Sequence, residues 1–256
     1  MRAFVAIVDA GGFARAGVRL NLSQPALSRQ IRAFEAELGV QLAGFLPRYR
    51  RGHPGVDVHL VEDGGVRLAA RLEHGDVHLA LTASTDARFR WRLLLPLYVL
   101  AVLPKSSRLG RGASLEIAEL ADSPLLLTRR DFASREWFDA ACQVAHLRPR
   151  VLLESGAPST LLALAQVAYG IAIVPSNVRL PRKGVRAVPL VQRGAPIGRW
   201  LSLAWDPRRF LAPYAEEFVV ELVAYAKRAS TKPGFARRAP PLPRPKEPSD
   251  LERTRA

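Results

Sequence analysis

The sequence predicts an α/β protein, and three observations carry that expectation. From Val56 to Ala229, short apolar runs with strand character alternate with segments of helical periodicity. That order is expected of βαβ units and parallel sheets. Ahead of them, residues 1–41 hold helical stripes separated by a tight turn. Finally, 48% of the 256 residues are hydrophobic, enough to bury one or two cores.

Taken in order, "FVAIV" (Phe4–Val8) reads as an apolar helix that ends at the Gly11-Gly12 pair. Phe13, Ala16, Gly17 and Leu20 form a second short stripe, broken at Asn21. In "NLSQPALSRQIRAFEAELG", Leu27, Ile31, Phe34 and Leu38 fall at i, i+4, i+7 and i+11, one face of a helix. Ser23 suits the N-cap and Pro25 the first turn. Ser28, Arg29 and Arg32 then lie away from the apolar stripe, with Gln24 at the exposed start. Two short helices around a tight turn, the second opening with polar residues, match a helix-turn-helix entering the major groove N-terminus first. Gln pairs with adenine, Arg with guanine, and Ser with a phosphate or a base edge. On the pattern alone, an ordinary solvated helix face fits equally well.

Further along the chain, "VDVHLVE" reads as a strand, "VRLAARLEHG" as a helix and "DVHLALTAS" as a strand. "LYVLAVLP" continues the sheet. "PLLLTRR" and "RPRVLLES" flank a helix over Ser134–His146. "PSTLLALAQVAYG" is a helix with Ser159 or Thr160 near its start, followed by the strand "IAIVP". "RAVPL" and "WLSLAW" are strands, and Ala212–Ala229 is the closing helix. The tail, residues 230–256, holds six of the twenty prolines and reads as a disordered basic extension. Its "PPLPRP" has the form of a ligand for a proline-recognising groove, although a solvated tail is the plainer expectation.

A net charge of +15 favours a polyanionic partner, nucleic acid first. The lone Cys142 fits a reducing compartment and packs on an amphipathic helix. The apolar run Leu93–Pro104 carries an internal proline and is too short to span a bilayer, so a soluble, cytoplasmic protein is expected. No G-x-S-x-G, H-E-x-x-H or GK[ST] motif occurs, and the expectation is no enzyme and no cofactor. His74 and His78 have a metal-like spacing, but the pair is split between a loop and a strand, and no metal site is expected.

"SQPALSRQIRAFEAELGVQL" resembles the recognition helix of the LysR-type transcriptional regulators, and "FVAIVDAGGFARA" resembles their first two helices. The resemblance is nearly continuous from Phe4 to Leu42, departing at Gly17, where the family usually has Ala. It implies that Ser23, Gln24, Pro25, Ser28 and Arg29, with Arg32 beside them, contact double-stranded DNA. "FLPRYRRGHPGVDVHLVE" resembles the first helix and second strand of the family's effector-binding domain. The implied architecture is an incomplete helix-turn-helix domain over residues 1–41, then a two-lobed, periplasmic-binding-protein-like effector domain over residues 42–229. The family's wing, its dimerising linker helix and the first strand of the effector domain are missing near Gln41–Ala43. The chain also starts part-way into the first helix. The family norm is a homo-oligomer, and the helix that makes it is absent. The alternative reading is a degenerate fragment that binds a ligand without specific DNA binding.

In such a domain the small-molecule effector sits between the lobes, held by loop hydroxyls and helix N-termini, which suits a carboxylate. The candidates are Thr82, Thr128, Ser159 and Thr160. With the first strand and its loop absent, weak or absent binding of small carboxylates is expected.

Overall fold

The computed structural model describes residues 3–9, 39–63, 65–83, 86–130, 132–229 and 239–246. Its longest strand is β4, Arg90–Pro104, whose run RWRLLLPLYVLAVLP is buried at most positions. Apolar residues on both faces suit a strand covered on both sides. From Arg90 to Tyr98 it pairs with β11 (Gly198–Trp205). From Val99 onward its partners are β8 (Ile171–Pro175) and β9 (Val185–Gln192). Near Tyr98, therefore, β4 leaves one lobe and enters the other.

Five helices accompany the strands in the described residues: α1 (Gly39–Gly52), α2 (Gly65–His74), α3 (Ala133–Val144), α4 (Pro158–Gln166) and α5 (Pro213–Ala229). Lobe I has the strand order β2-β1-β3-β11-β4, with β1 at Ala3–Asp9, β2 at Asp57–Asp63 and β3 at Leu79–Thr82. One face is covered by α1 and α5, through Phe45, Tyr49, Leu79, Leu81, Phe218 and Leu222. Phe45 meets Phe218 edge-on at 5.2 Å, and Tyr49 Oη donates to the Tyr214 carbonyl at 2.9 Å. Burial, aided by Glu221 and Glu217, pushes the Tyr49 phenol up to about 12. The other face packs Leu68 and Leu72 of α2 against Ala80, Trp91 and Leu93.

Lobe II is built on β8, β6 (Pro124–Thr128) and β7 (Arg150–Ser155), with α3 on one face and α4 on the other. Two short strands, β5 (Leu115–Glu116) and β10 (Ala195–Pro196), pair with β9. At the crossover the backbones approach closely. A Cβ on Gly198 would overlap the Leu97 carbonyl oxygen and lie 3.0 Å from the Tyr98 Cα, so only glycine fits.

The structure corrects several expectations. Phe4–Val8 lies in strand β1, not in a helix. Val5, Ile7 and Val8 are β-branched, and an unbroken apolar run suits a central strand. Strand β1 pairs antiparallel with β2 from Ala3↔Asp63 to Asp9↔Asp57, and antiparallel with β3 on its other edge. Lobe I therefore does have a strand between β2 and β3. Its polarity is opposite to theirs, because both pair with it antiparallel. Helix α1 runs unbroken across Gln41 and Leu42. The sheets are mixed: β6 is parallel to β7 and β8, and β5 to β9, while the other pairs are antiparallel. Strands that pass between lobes and return, as β4 and β11 do, run against one another. In the tail, expected to be solvated throughout, residues 239–246 pack on the protein, and Leu242 is only 7% exposed.

Candidate functional site

The crossover collects the polar ends of both lobes. Strands β6, β7 and β8 are parallel, so Thr128, Ser155 and Pro175 end them on the same side. Pro175 pairs with Val99, which fixes that side as the one where β4 enters the lobe. Helix α3 begins shortly after Thr128, and α4 shortly after Ser155, so both N-termini lie at this edge. Their N-caps are Phe132 and Ala157, and neither cap makes a side-chain hydrogen bond to the first turn. Helix starts of this kind carry partial positive charge and amide donors, the chemistry that receives a carboxylate or phosphate.

The two loops are tied together. The Arg129 amide donates to the Ser155 carbonyl at 3.1 Å, and the Ala157 amide donates to Ser155 Oγ at 3.0 Å. The Arg129 side chain lies over Gly156, where a Cβ would come within 3.1 Å of its Nε. Arg135, only 4% exposed, holds the loop from beneath. Its Nη1 donates to the Thr128 carbonyl at 2.8 Å, its Nε to Asp139 at 2.8 Å, and its Nη2 pairs with Glu154 at 2.9 Å. Ser134, in the first turn of α3, is buried, and its Oγ has no hydrogen-bond partner among the described residues.

On the lobe I side, Thr82 ends β3. It pairs with Ser202 of β11, whose residues descend from there to Gly198 at the crossover. Ser202 Oγ donates to the Thr82 carbonyl at 3.0 Å. Strand β1 brings its start, Ala3, toward this end, because Phe4 pairs with Leu81 and Ala6 with Leu79. A strand of the opposite polarity would place its C-terminal loop there.

Of the residues singled out from sequence, Thr82 and Thr128 are both at the crossover and both buried, at 9% and 1% exposure. Ser159 and Thr160 are exposed in the first turn of α4, next to the same edge. Ser23, Gln24, Pro25, Ser28, Arg29 and Arg32 lie outside the described residues. Sequence reasoning missed Arg135 and Ser134. The Arg135–Asp139 spacing of i, i+4 is a legible helical ion-pair signal, but nothing local announces that the arginine is buried. Burial, with Asp139 nearby, pushes the Cys142 thiol up to about 12, which leaves it unreactive. Among the described residues, no group of His, Cys, Asp and Glu could hold a metal, and no helix is long and apolar enough to cross a membrane.

Two lobes joined by crossing strands, with strand ends and helix starts converging between them, define a ligand-binding domain of the periplasmic-binding-protein type. The model of the LysR substrate binding domain matches residues 30–227. That of the bacterial regulatory helix-turn-helix protein, lysR family, matches residues 1–50. This chain belongs to the LysR family of bacterial transcriptional regulators. It is 22% identical to the uncharacterized HTH-type transcriptional regulator YwbI of Bacillus subtilis, over 87% of this chain and 94% of the relative. The alignment extends over 287 positions. Its fold is similar to that of HinK, a LysR family transcriptional regulator from Pseudomonas aeruginosa, with a TM-score of 0.59, 18% identity and coverage of 86% and 95%. It is also similar to the Synechocystis CcmR regulatory domain in complex with 2-PG, with a TM-score of 0.62, 16% identity and coverage of 74% and 94%. Regulators of this family bind DNA through the helix-turn-helix and small molecules through the effector domain.

Proposed function

We propose that this chain is a cytoplasmic regulator whose residues 1–41 read double-stranded DNA and whose residues 42–229 sense a small anion, a carboxylate being the best fit. The observation that carries the sensor half is the convergence of β6, β7 and β8 with the starts of α3 and α4 at one edge. Ser134, Ser159 and Thr160 and the amides of the two first turns grip the anion, while Thr128 is fixed below them by Arg135. Thr82 closes the site from lobe I. The grip is weak, because β1 presents its start at the cleft in place of a strand-end loop. The CcmR domain, which binds 2-PG, and the effector domain of QuiR, which binds shikimate, support a small ligand in this fold.

For DNA, Gln24 and Arg29 take the base edges, while Ser23, Pro25, Ser28 and Arg32 seat the helix on the backbone. The 287 aligned positions of the relative exceed the 256 residues here, which supports an absent internal block. If that block includes the linker helix, two recognition helices are not held one helical turn apart. Gel-shift titration against the DNA beside the gene, at physiological salt, tests the reading. Arg29→Ala should weaken specific binding by about 1–3 kcal/mol and leave scrambled DNA unaffected. Wild-type binding no tighter than to scrambled DNA would refute specific regulation.

A second reading is a ligand-binding module without DNA recognition. It is favoured by β1, because residues 3–9 lie within the segment that the helix-turn-helix model matches, yet they pair inside the lobe I sheet. Those residues serve only one of the two structures at a time. A disulfide between Ala6→Cys and Leu79→Cys, which are register partners, forms on oxidation only when β1 is in place.

A further inference from the structure

The tail segment Ala239–Lys246 reads APPLPRPK, with prolines at 240, 241, 243 and 245. Proline fixes φ and biases its predecessor toward extended backbone, so this stretch is disposed to a polyproline II course. It has no strand or helix, yet it is held closely. Leu242 is buried among Tyr98, Leu100, Leu126, Leu161 and Val178. Trp200 Nε1 donates to the Leu242 carbonyl at 3.4 Å, and the Tyr98 phenol is hydrogen-bonded to the Leu242 backbone. The Arg244 guanidinium lies 5.5 Å above the Trp200 ring. An aromatic-lined groove, side-chain bonds to the backbone and a cation on an indole are the elements by which proline-rich peptides are recognised.

The position of the groove gives it a consequence. Tyr98 pairs with Gly198, and Trp200 with Pro96, on the two strands that join the lobes. Trp200 packs against the Leu242 cluster of lobe II and also against the cluster of Leu68, Leu72 and Trp91 in lobe I. A segment fastened to Trp200 therefore touches a side chain that both lobes share.

We propose that the Tyr98–Trp200 groove is a polyproline-binding site, that its ligand is residues 239–246 of the same chain, and that the docked segment straps the hinge between the lobes. Leu242 is the anchor and Arg244 the cation. Leu242→Asp puts a charge into the apolar pocket and empties the groove while every residue of the two lobes stays unchanged.

The test uses the full chain. Trypsin should cut Lys246–Glu247 about tenfold faster in Leu242→Asp than in the wild type, with Leu242→Met behaving as the wild type. Amide exchange at Tyr98 and Val99, where β4 changes lobes, should rise by a similar factor in Leu242→Asp only. A synthetic peptide of residues 237–248 at millimolar concentration should restore the exchange protection at Tyr98 and Val99 to Leu242→Asp, and should fail to do so when Trp200→Ala is added. Equal cleavage in wild type and Leu242→Asp overturns the site. Faster cleavage with unchanged exchange at Tyr98 and Val99 overturns the strap. Protection that falls on dilution assigns the occupant to a second copy, which overturns binding within the chain.

Discussion

Arg135 is the residue through which the proposed anion edge is most open to test. Replacing it with Met keeps an unbranched side chain and the helical propensity of the position but removes every side-chain donor. Three interactions disappear: those to the Thr128 carbonyl, to Asp139 and to Glu154. Asp139 and Glu154 are 34% and 40% exposed, so both carboxylates rehydrate and their loss is small. The Thr128 carbonyl cannot recover in this way, because Thr128 is 1% exposed. An orphaned buried acceptor costs about 1–3 kcal/mol, and a bond from a charged donor is at the upper end of that range. With a smaller contribution from the two carboxylates, the total is about 3 kcal/mol, short of the loss expected for a fully buried pair. For a chain of this size that corresponds to a fall in melting temperature of roughly 6–12 °C. Urea denaturation followed by tryptophan fluorescence reads the loss, with Arg88→Met as the control. Arg88 pairs with Asp86 and Glu73 at the surface and should give no measurable change. An Arg135→Met chain within about 1 kcal/mol of the wild type would refute the assignment of Arg135 as the buried support of the Thr128 loop.

Gly198→Ala forces a Cβ into the Leu97 carbonyl at the crossover and should cost about 1–3 kcal/mol by denaturation, whereas Gly52→Ala, whose Cβ meets nothing, should be neutral. The Arg208 hydrogen bond holds the buried Asp206 carboxyl below its ordinary value of 3.8. A depressed pKa stabilises the fold above the ordinary value, so the advantage of the wild type over Asp206→Asn should be full at neutral pH, begin to fall near the ordinary carboxylate range and be lost as the pH passes through the lowered pKa, as denaturation at a series of pH values would show. In a calorimetric screen of aliphatic and aromatic acids, binding should be weaker than low micromolar, and Ser134→Ala or Thr160→Val should weaken it further. A low-micromolar hit abolished by Thr128→Val would refute the weak grip and show that the pocket is intact.

Several features of this protein were determined by local sequence. The apolar runs Leu125–Leu127, Ile171–Val174 and Leu97–Leu103 read as strands because nothing in them has a helical period, and they are strands. The helices over Ala133–Val144 and Pro158–Gln166 were legible from their stripes. The helix-turn-helix signature and the alternation of the later elements were enough to place the family. What sequence could not decide is whatever depends on a partner far along the chain. Phe4–Val8 has the composition of either a buried helix or a central strand, and periodicity cannot separate the two in so short a run. In the structure the free edges of β2 and β3 select the strand. Arg135 looks like a surface arginine until β6 and β7 bring the Thr128 carbonyl and Glu154 to it. Leu242 is one apolar residue among prolines, too little to fold by itself, and it becomes ordered because Tyr98 and Trp200 lie adjacent on β4 and β11. Pattern within a window of residues sets the elements; pairing across the chain decides which edges are filled, which charges are buried and which tail is held.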